Sequence, residues 1–80
     1  MSLYMVTNHL KERRARKGPR GISKAALARR MNVSRSYITK LEQGKAVPSL
    51  ALALQLARYF GCTVDDLFEI RAEIMTENLF

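Results

Sequence analysis

Apolar residues recur three and four positions apart along most of this chain, and residues that start or stop helices bracket each run. Asn8 is placed to cap a first helix that carries Leu10 and Arg14 and ends at Gly18. Gly18-Pro19-Arg20-Gly21 then reads as a loop, because two glycines and a proline resist helix continuation. Ser23 caps a second helix, Lys24 to about Arg30, with Leu27, Ala28 and Met31 on one face. Met31-Asn32-Val33 is a short break in which asparagine suits a left-handed position. Ser34 caps a third helix, Arg35 to Gln43, and Gly44 stands where a terminating glycine belongs. Pro48-Ser49 opens a fourth helix that runs to Phe60 and stops at Gly61. Thr63 caps a short fifth helix, with Asp65 and Asp66 favourably placed in its first turn.

The pattern changes at the two ends. Phe68, Ile70, Ala72 and Ile74 alternate with Glu69, Arg71 and Glu73, which reads as a strand, while Leu67, Ile70 and Ile74 fit helical spacing as well. Leu3 to Val6 has strand character, and the two terminal segments could pair as a small ribbon. The expected organisation is an N-terminal segment over 1–7, a helical domain over 8–68 and a tail over 69–80.

Charge sharpens this picture. The 80 residues carry 14 Lys and Arg against 7 Asp and Glu, a net charge of +7. Residues 11–30 hold nine basic groups against Glu12 alone, whereas residues 61–80 hold Arg71 against five carboxylates. A basic front and an acidic, apolar back suit a polyanion on one side and self-association or a partner on the other. No run approaches the roughly 18 apolar residues that span a bilayer, and no signal-peptide pattern is present. The lone cysteine, Cys62, cannot staple the fold, so a reduced, cytoplasmic domain is expected.

Only about three residues separate the second and third helices, so the two must cross steeply, which is the form of a helix-turn-helix. Ile38 and Leu41 mark the buried side of the third helix. Arg35, Ser36, Thr39, Lys40 and Gln43 face outward; all are polar and none is acidic, a face suited to an anionic partner.

The residues from Ser23 to Lys45, with Ala25-Ala26-Leu27-Ala28 and Ile38-x-x-Leu41-Glu42-x-Gly44, resemble the helix-turn-helix of the Xre/Cro/phage-repressor family. Pro48-Ser49-Leu50, Leu54, Leu56-Ala57 and Gly61 through Phe68 resemble the last two helices of that family. The resemblance implies an all-α, five-helix, lambda repressor-like domain, compatible with short terminal β-strands at a dimer interface. It implies a sequence-specific regulator of transcription, a repressor, that binds double-stranded DNA as a homodimer on a near-palindromic operator.

Carried over position by position, the resemblance places Arg35, Ser36, Thr39 and Lys40 where the family reads bases. Lys24 falls where a backbone- or base-contacting glutamine is usual and is assigned to phosphate with Tyr37 and Lys45, which fall at phosphate-contact positions, and with Ser34 and Gln43 at the two ends of the third helix. Arg14 and Glu42 match an ion pair that ties the first helix to the third. Three departures stand out. Lys24 replaces the usual glutamine, Ala26 stands where an acid is common, and the loop at Gly18 to Gly21 is about three residues longer than the family's short turn. The longer loop either brings Arg20 to a phosphate or is a tolerated surface insertion.

The fourth helix is apolar over nearly its whole circumference. Leu50, Leu54, Ala57 and Phe60 suffice for a core, which leaves Leu52, Leu56 or Tyr59 for an interface. The tail adds Ile70, Ile74, Met75, Leu79 and Phe80, so the expected dimer interface is Leu52, Tyr59, Ile70 and Ile74. With one histidine, His9, and one cysteine, the chain cannot build a metal cage or a Cys–His pair. Neither enzymatic activity, a metal nor a cofactor is expected. Other roles for the same fold are an antitoxin that also binds a toxin partner, or a restriction-modification controller. A basic RNA-binding or protein-interaction domain is a reading from another class.

Overall fold

The computed structural model describes residues 4–72. In chain order they form β1 (Tyr4–Asn8), α1 (Leu10–Arg16), α2 (Lys24–Met31), α3 (Arg35–Glu42), α4 (Leu50–Phe60), α5 (Val64–Leu67) and β2 (Phe68–Ala72). The helices close over one core, and the strands join the two ends of the described chain as an antiparallel pair with Val6 opposite Ile70 and Asn8 opposite Phe68. Residues 68–72 are therefore strand, and the helical spacing of Leu67 and Ile70 is coincidental. The ladder continues into the helical body, where the His9 N–H donates to the Leu67 carbonyl at 2.9 Å.

Four helices begin in the same way. The hydroxyls of Ser23, Ser34, Ser49 and Thr63 accept from the backbone N–H of Ala26, Tyr37, Leu52 and Asp66. Each cap contributes about 1 kcal/mol. At α5 the cap is reciprocal: Thr63 N–H also donates to the Asp66 carboxylate at 3.0 Å. Bonds from Thr63's backbone and hydroxyl hold that carboxyl below its usual range.

Helix α1 departs from this rule. His9 occupies the cap position without a side-chain capping bond. Asn8, the last residue of β1, takes over one position earlier. Its Oδ1 accepts from Leu10 N–H at 3.1 Å, and its Nδ2 donates to the Leu41 carbonyl at 2.7 Å. One side chain thus starts α1 and fastens the ribbon to the end of α3.

Helices α2, α3 and α4 all end in a left-handed residue: Asn32 at φ 60°, Gly44 at 75° and Gly61 at 68°. In each case the following residue's N–H reaches back five residues, as Val33 does to Ala28, Lys45 to Lys40 and Cys62 to Ala57. This is the Schellman closure, which satisfies carbonyls that the helix itself leaves open.

Leu10, Leu27, Ile38, Leu41, Leu56 and Leu67 are fully buried, so every helix sends at least one large side chain into the centre. Burial of each contributes about 1.5–3 kcal/mol. The phase of α4 departs from expectation at Leu50 and Leu54, whereas Ala57 is buried and Phe60 packs against the core as expected. Leu52, Ala53, Leu56 and Ala57 face the core, while Leu50 is 73% exposed and Leu54 53% exposed. Leu52 is therefore a core residue and not an interface residue. Tyr59 is half-buried and engaged within its own chain. Ile70 is exposed. Ile74, Met75, Leu79 and Phe80 lie outside the described residues.

The α1–α2 loop returns to the body at Gly21, which has φ 74°. A Cβ there would lie 2.9 Å from the Arg14 carbonyl oxygen and 3.0 Å from that of Ala15. Gly18 has a similar φ of 72° but nothing within 4 Å. Gly21→Ala should therefore cost about 2–4 kcal/mol, combining left-handed strain with a forced backbone shift. Gly18→Ala should cost only the strain, about 1–2 kcal/mol. Urea denaturation of both variants checks this, and equal losses would show that the carbonyl contact is relieved freely.

Candidate nucleic-acid interface

Two serine caps and one asparagine turn build the site. The Asn32 closure stops α2, Val33 tucks against the core, and Ser34 restarts the chain as α3 in a new direction. With Ile38 and Leu41 buried, the opposite face of α3 is necessarily presented outward.

On that face a shallow depression of about 410 Å³ is lined by Arg35, Ser36, Thr39, Lys40, Gln43 and Lys45. Thr39 is half-buried and the other five are exposed. No carboxylate is among them, and three carry positive charge. The structure thus brings together all four expected base-reading positions, together with Gln43 and Lys45.

The remaining expected contacts are placed less uniformly. Lys24, in the first turn of α2, reaches across to α3, and its Nζ donates to Thr39 Oγ1 at 3.3 Å. Ser34 is exposed but already accepts from Tyr37 N–H at 3.0 Å, with its hydroxyl 3.3 Å from that of Ser36. Tyr37 is half-buried and packs against the core edge. It lines a second cleft, with Ser34, Ser49 and Gln55, on the side of α3 that faces α4. Arg20 is exposed at the loop tip, apart from the depression.

Arg14 and Glu42 sit behind α3, with side chains 13% and 7% exposed. The guanidinium engages both carboxylate oxygens: Nε donates to Oε2, and Nη2 donates to Oε1 at 3.0 Å. Nη1 donates to the Ile22 carbonyl at 3.1 Å. One arginine thus joins α1, the entry to α2 and the end of α3, and Glu42 does not face the depression.

A cationic cluster elsewhere has a structural explanation that sequence reasoning missed. Lys17 Nζ lies 4.5 Å and Arg30 Cζ 5.1 Å from the centre of the Tyr59 ring. Lys17 Nζ also donates to the Tyr59 carbonyl at 2.8 Å, in the last turn of α4. These cations counter the negative end of the α4 dipole. No sequence signal links them, because the three residues belong to three elements. Among the described residues, no group of three or more His, Cys, Asp or Glu side chains could hold a metal ion. No helix among them is long and apolar enough to cross a membrane.

A family model for the helix-turn-helix matches residues 13–67, which hold α2, α3, α4, α5 and the ion pair. The chain is similar to an uncharacterised helix-turn-helix-type transcriptional regulator of Methanocaldococcus jannaschii, with 45% identity over 42 residues. That alignment covers 52% of this chain and 64% of the archaeal protein, just under two thirds of its length. A second such regulator, from Archaeoglobus fulgidus, is 44% identical over 48 residues, covering 60% of this chain and 69% of the relative. A third, YgzD of Bacillus subtilis, is 36% identical over 68 residues, covering 85% of this chain and 98% of the bacterial protein.

Proposed function

This chain belongs to the Xre/Cro-like helix-turn-helix family, and on that premise we propose that it is a sequence-specific, double-stranded DNA-binding repressor of transcription acting as a dimer on a near-palindromic operator. The observation that carries this reading is the carboxylate-free depression on α3. An α-helix fits the major groove, and there Arg35, Ser36, Thr39 and Lys40 meet base edges while Lys24, Ser34, Tyr37, Gln43 and Lys45 meet phosphates. Arg35 is the strongest candidate for a bidentate contact to guanine, because its fork matches N7 and O6. Arg20 would add a backbone contact from the loop.

Dimerisation is supported by the apolar surface that α4 turns outward. Leu50 and Leu54 lie one turn apart, and the clefts beside Leu54 and Ile70 share Val64, so a strip of apolar groups interspersed with Arg58, Asp65 and Glu69 runs from α4 to the ribbon. This strip replaces Leu52 and Tyr59 as the proposed interface.

Selection of bound sequences from random duplexes tests the reading. A defined motif should emerge, and Arg35→Ala should weaken binding to it by about 1–3 kcal/mol while relaxing preference at one base pair per half-site. Uniform weakening across all sequences would reduce Arg35 to a phosphate contact, and the absence of any motif would refute sequence-specific recognition.

A further inference from the structure

We propose that Lys24 shapes base recognition through Thr39, biasing the Thr39 hydroxyl towards donation so that a base edge presenting an acceptor is favoured there. The inference rests on the DNA-reading role given above.

Its basis is the direction of one bond. A lysine ammonium has three protons and no lone pair, so the 3.3 Å contact between Lys24 Nζ and Thr39 Oγ1 runs one way only. The hydroxyl accepts from Lys24, and its own proton is left to be donated. In a helix, threonine commonly donates that proton to the carbonyl one turn back. Among the described residues, Thr39 makes no such bond to Arg35. Thr39 lines the depression beside Arg35, Ser36 and Lys40, so its proton is available on the face presented to the groove.

A free threonine hydroxyl is permissive, since it can donate to N7, O6 or O4 and accept from the amino groups of adenine or cytosine. With Lys24 in place, one of the hydroxyl's two acceptor lone pairs is taken and the adjacent ammonium opposes the approach of a second donor. Cytosine, whose major-groove edge offers only the N4 amino donor, is then disfavoured because that donor must approach the lone pair left beside an ammonium. The ammonium beside the hydroxyl reinforces the choice, because its positive charge favours the same electronegative edges. Guanine, with two acceptors, fits best. Lys24 thus acts as a positioning residue on specificity, a role that a glutamine at this position could not fix, because an amide can present either a donor or an acceptor.

The test starts from the duplex selected by the wild-type protein and varies the base at the Thr39 contact through all four identities. Binding is compared for wild type, Lys24→Met, Lys24→Arg, Thr39→Val and the Lys24→Met/Thr39→Val pair, with thermal melts confirming that each variant folds. Wild type should disfavour cytosine against guanine by about tenfold, within the range for one mismatched pair. Lys24→Met should compress that ratio to about twofold, Lys24→Arg should retain it, and the double variant should show the same base profile as Thr39→Val alone. The proposal is overturned if Lys24→Met keeps the wild-type profile, or if it weakens all four duplexes equally, the mark of a residue that contacts phosphate alone. A wild-type protein that selects no duplex overturns the DNA-reading role together with this proposal, whereas the first two outcomes overturn this proposal alone.

Discussion

Glu42→Ala is expected to lower the unfolding free energy by about 3–5 kcal/mol, enough to leave much of the protein unfolded at room temperature. The carboxylate is nearly inaccessible and receives two bonds from Arg14, whose side chain is only 13% exposed. Without Glu42 the guanidinium keeps its bond to the Ile22 carbonyl but holds an uncompensated charge in a site that admits little water. The large cost comes from that stranded charge and not from the net contribution of the intact pair. An Arg14→Met/Glu42→Leu double variant removes both charges at once and should lie within about 2 kcal/mol of wild type. The residual deficit reflects the lost bond to Ile22. Denaturant titrations of both single variants and the double variant separate the terms. A loss below about 1 kcal/mol for Glu42→Ala would mean that the pair behaves as a surface bridge.

Binding to the selected operator should weaken by about 10³–10⁵-fold between 50 and 200 mM salt. That range corresponds to roughly 6–10 neutralised phosphates, or about three to five per protomer of a dimer. The structure narrows which cations can supply them. Arg14 is committed to Glu42, and Lys17 and Arg30 lie against Tyr59. Of the eleven other basic residues, Lys24, Lys45 and Arg20, with Arg35 and Lys40, are the proposed contacts. A monomer would make half as many contacts and lose only about 10^1.5–10^2.5-fold over the same interval. The slope of log affinity against log salt therefore also tests the proposed stoichiometry, and a slope near zero would rule out a phosphate-driven interface altogether.

Helix ends were the most legible part of this sequence, because capping is local chemistry. Ser23, Ser34, Ser49 and Thr63 each satisfy an amide three residues away, and Asn32, Gly44 and Gly61 take up the left-handed geometry that their residue types favour. The outward face of α3 was legible for a related reason: Ile38 and Leu41 set its phase against polar neighbours. Helix α4 lacks that contrast. Leu50, Leu52, Leu54 and Leu56 are chemically equal, so periodicity supplies no phase, and a two-residue slip turns the helix by about 200°. Packing against α2 and α5 decides the matter and buries Leu52 and Leu56. The start of α1 was displaced by one residue because Asn8 serves a strand, a helix and the Leu41 carbonyl together. The Lys24–Thr39 bond was hidden because its partners are 15 positions apart and meet only once the two helices cross.

The α1–α2 loop is held tightly at its exit and loosely at its tip. Ile22 N–H donates to the Arg14 carbonyl at 2.9 Å, Arg14 returns a bond to the Ile22 carbonyl, and Gly21 lies against the same turn of α1. Residues 18–20 are exposed, and Gly18 has open space around it. Length and composition at the tip are thereby insulated from the geometry of α2 and α3. Residues 18–20 form the position at which this domain can accept an inserted peptide, a fluorophore or additional positive charge while its recognition surface stays in register.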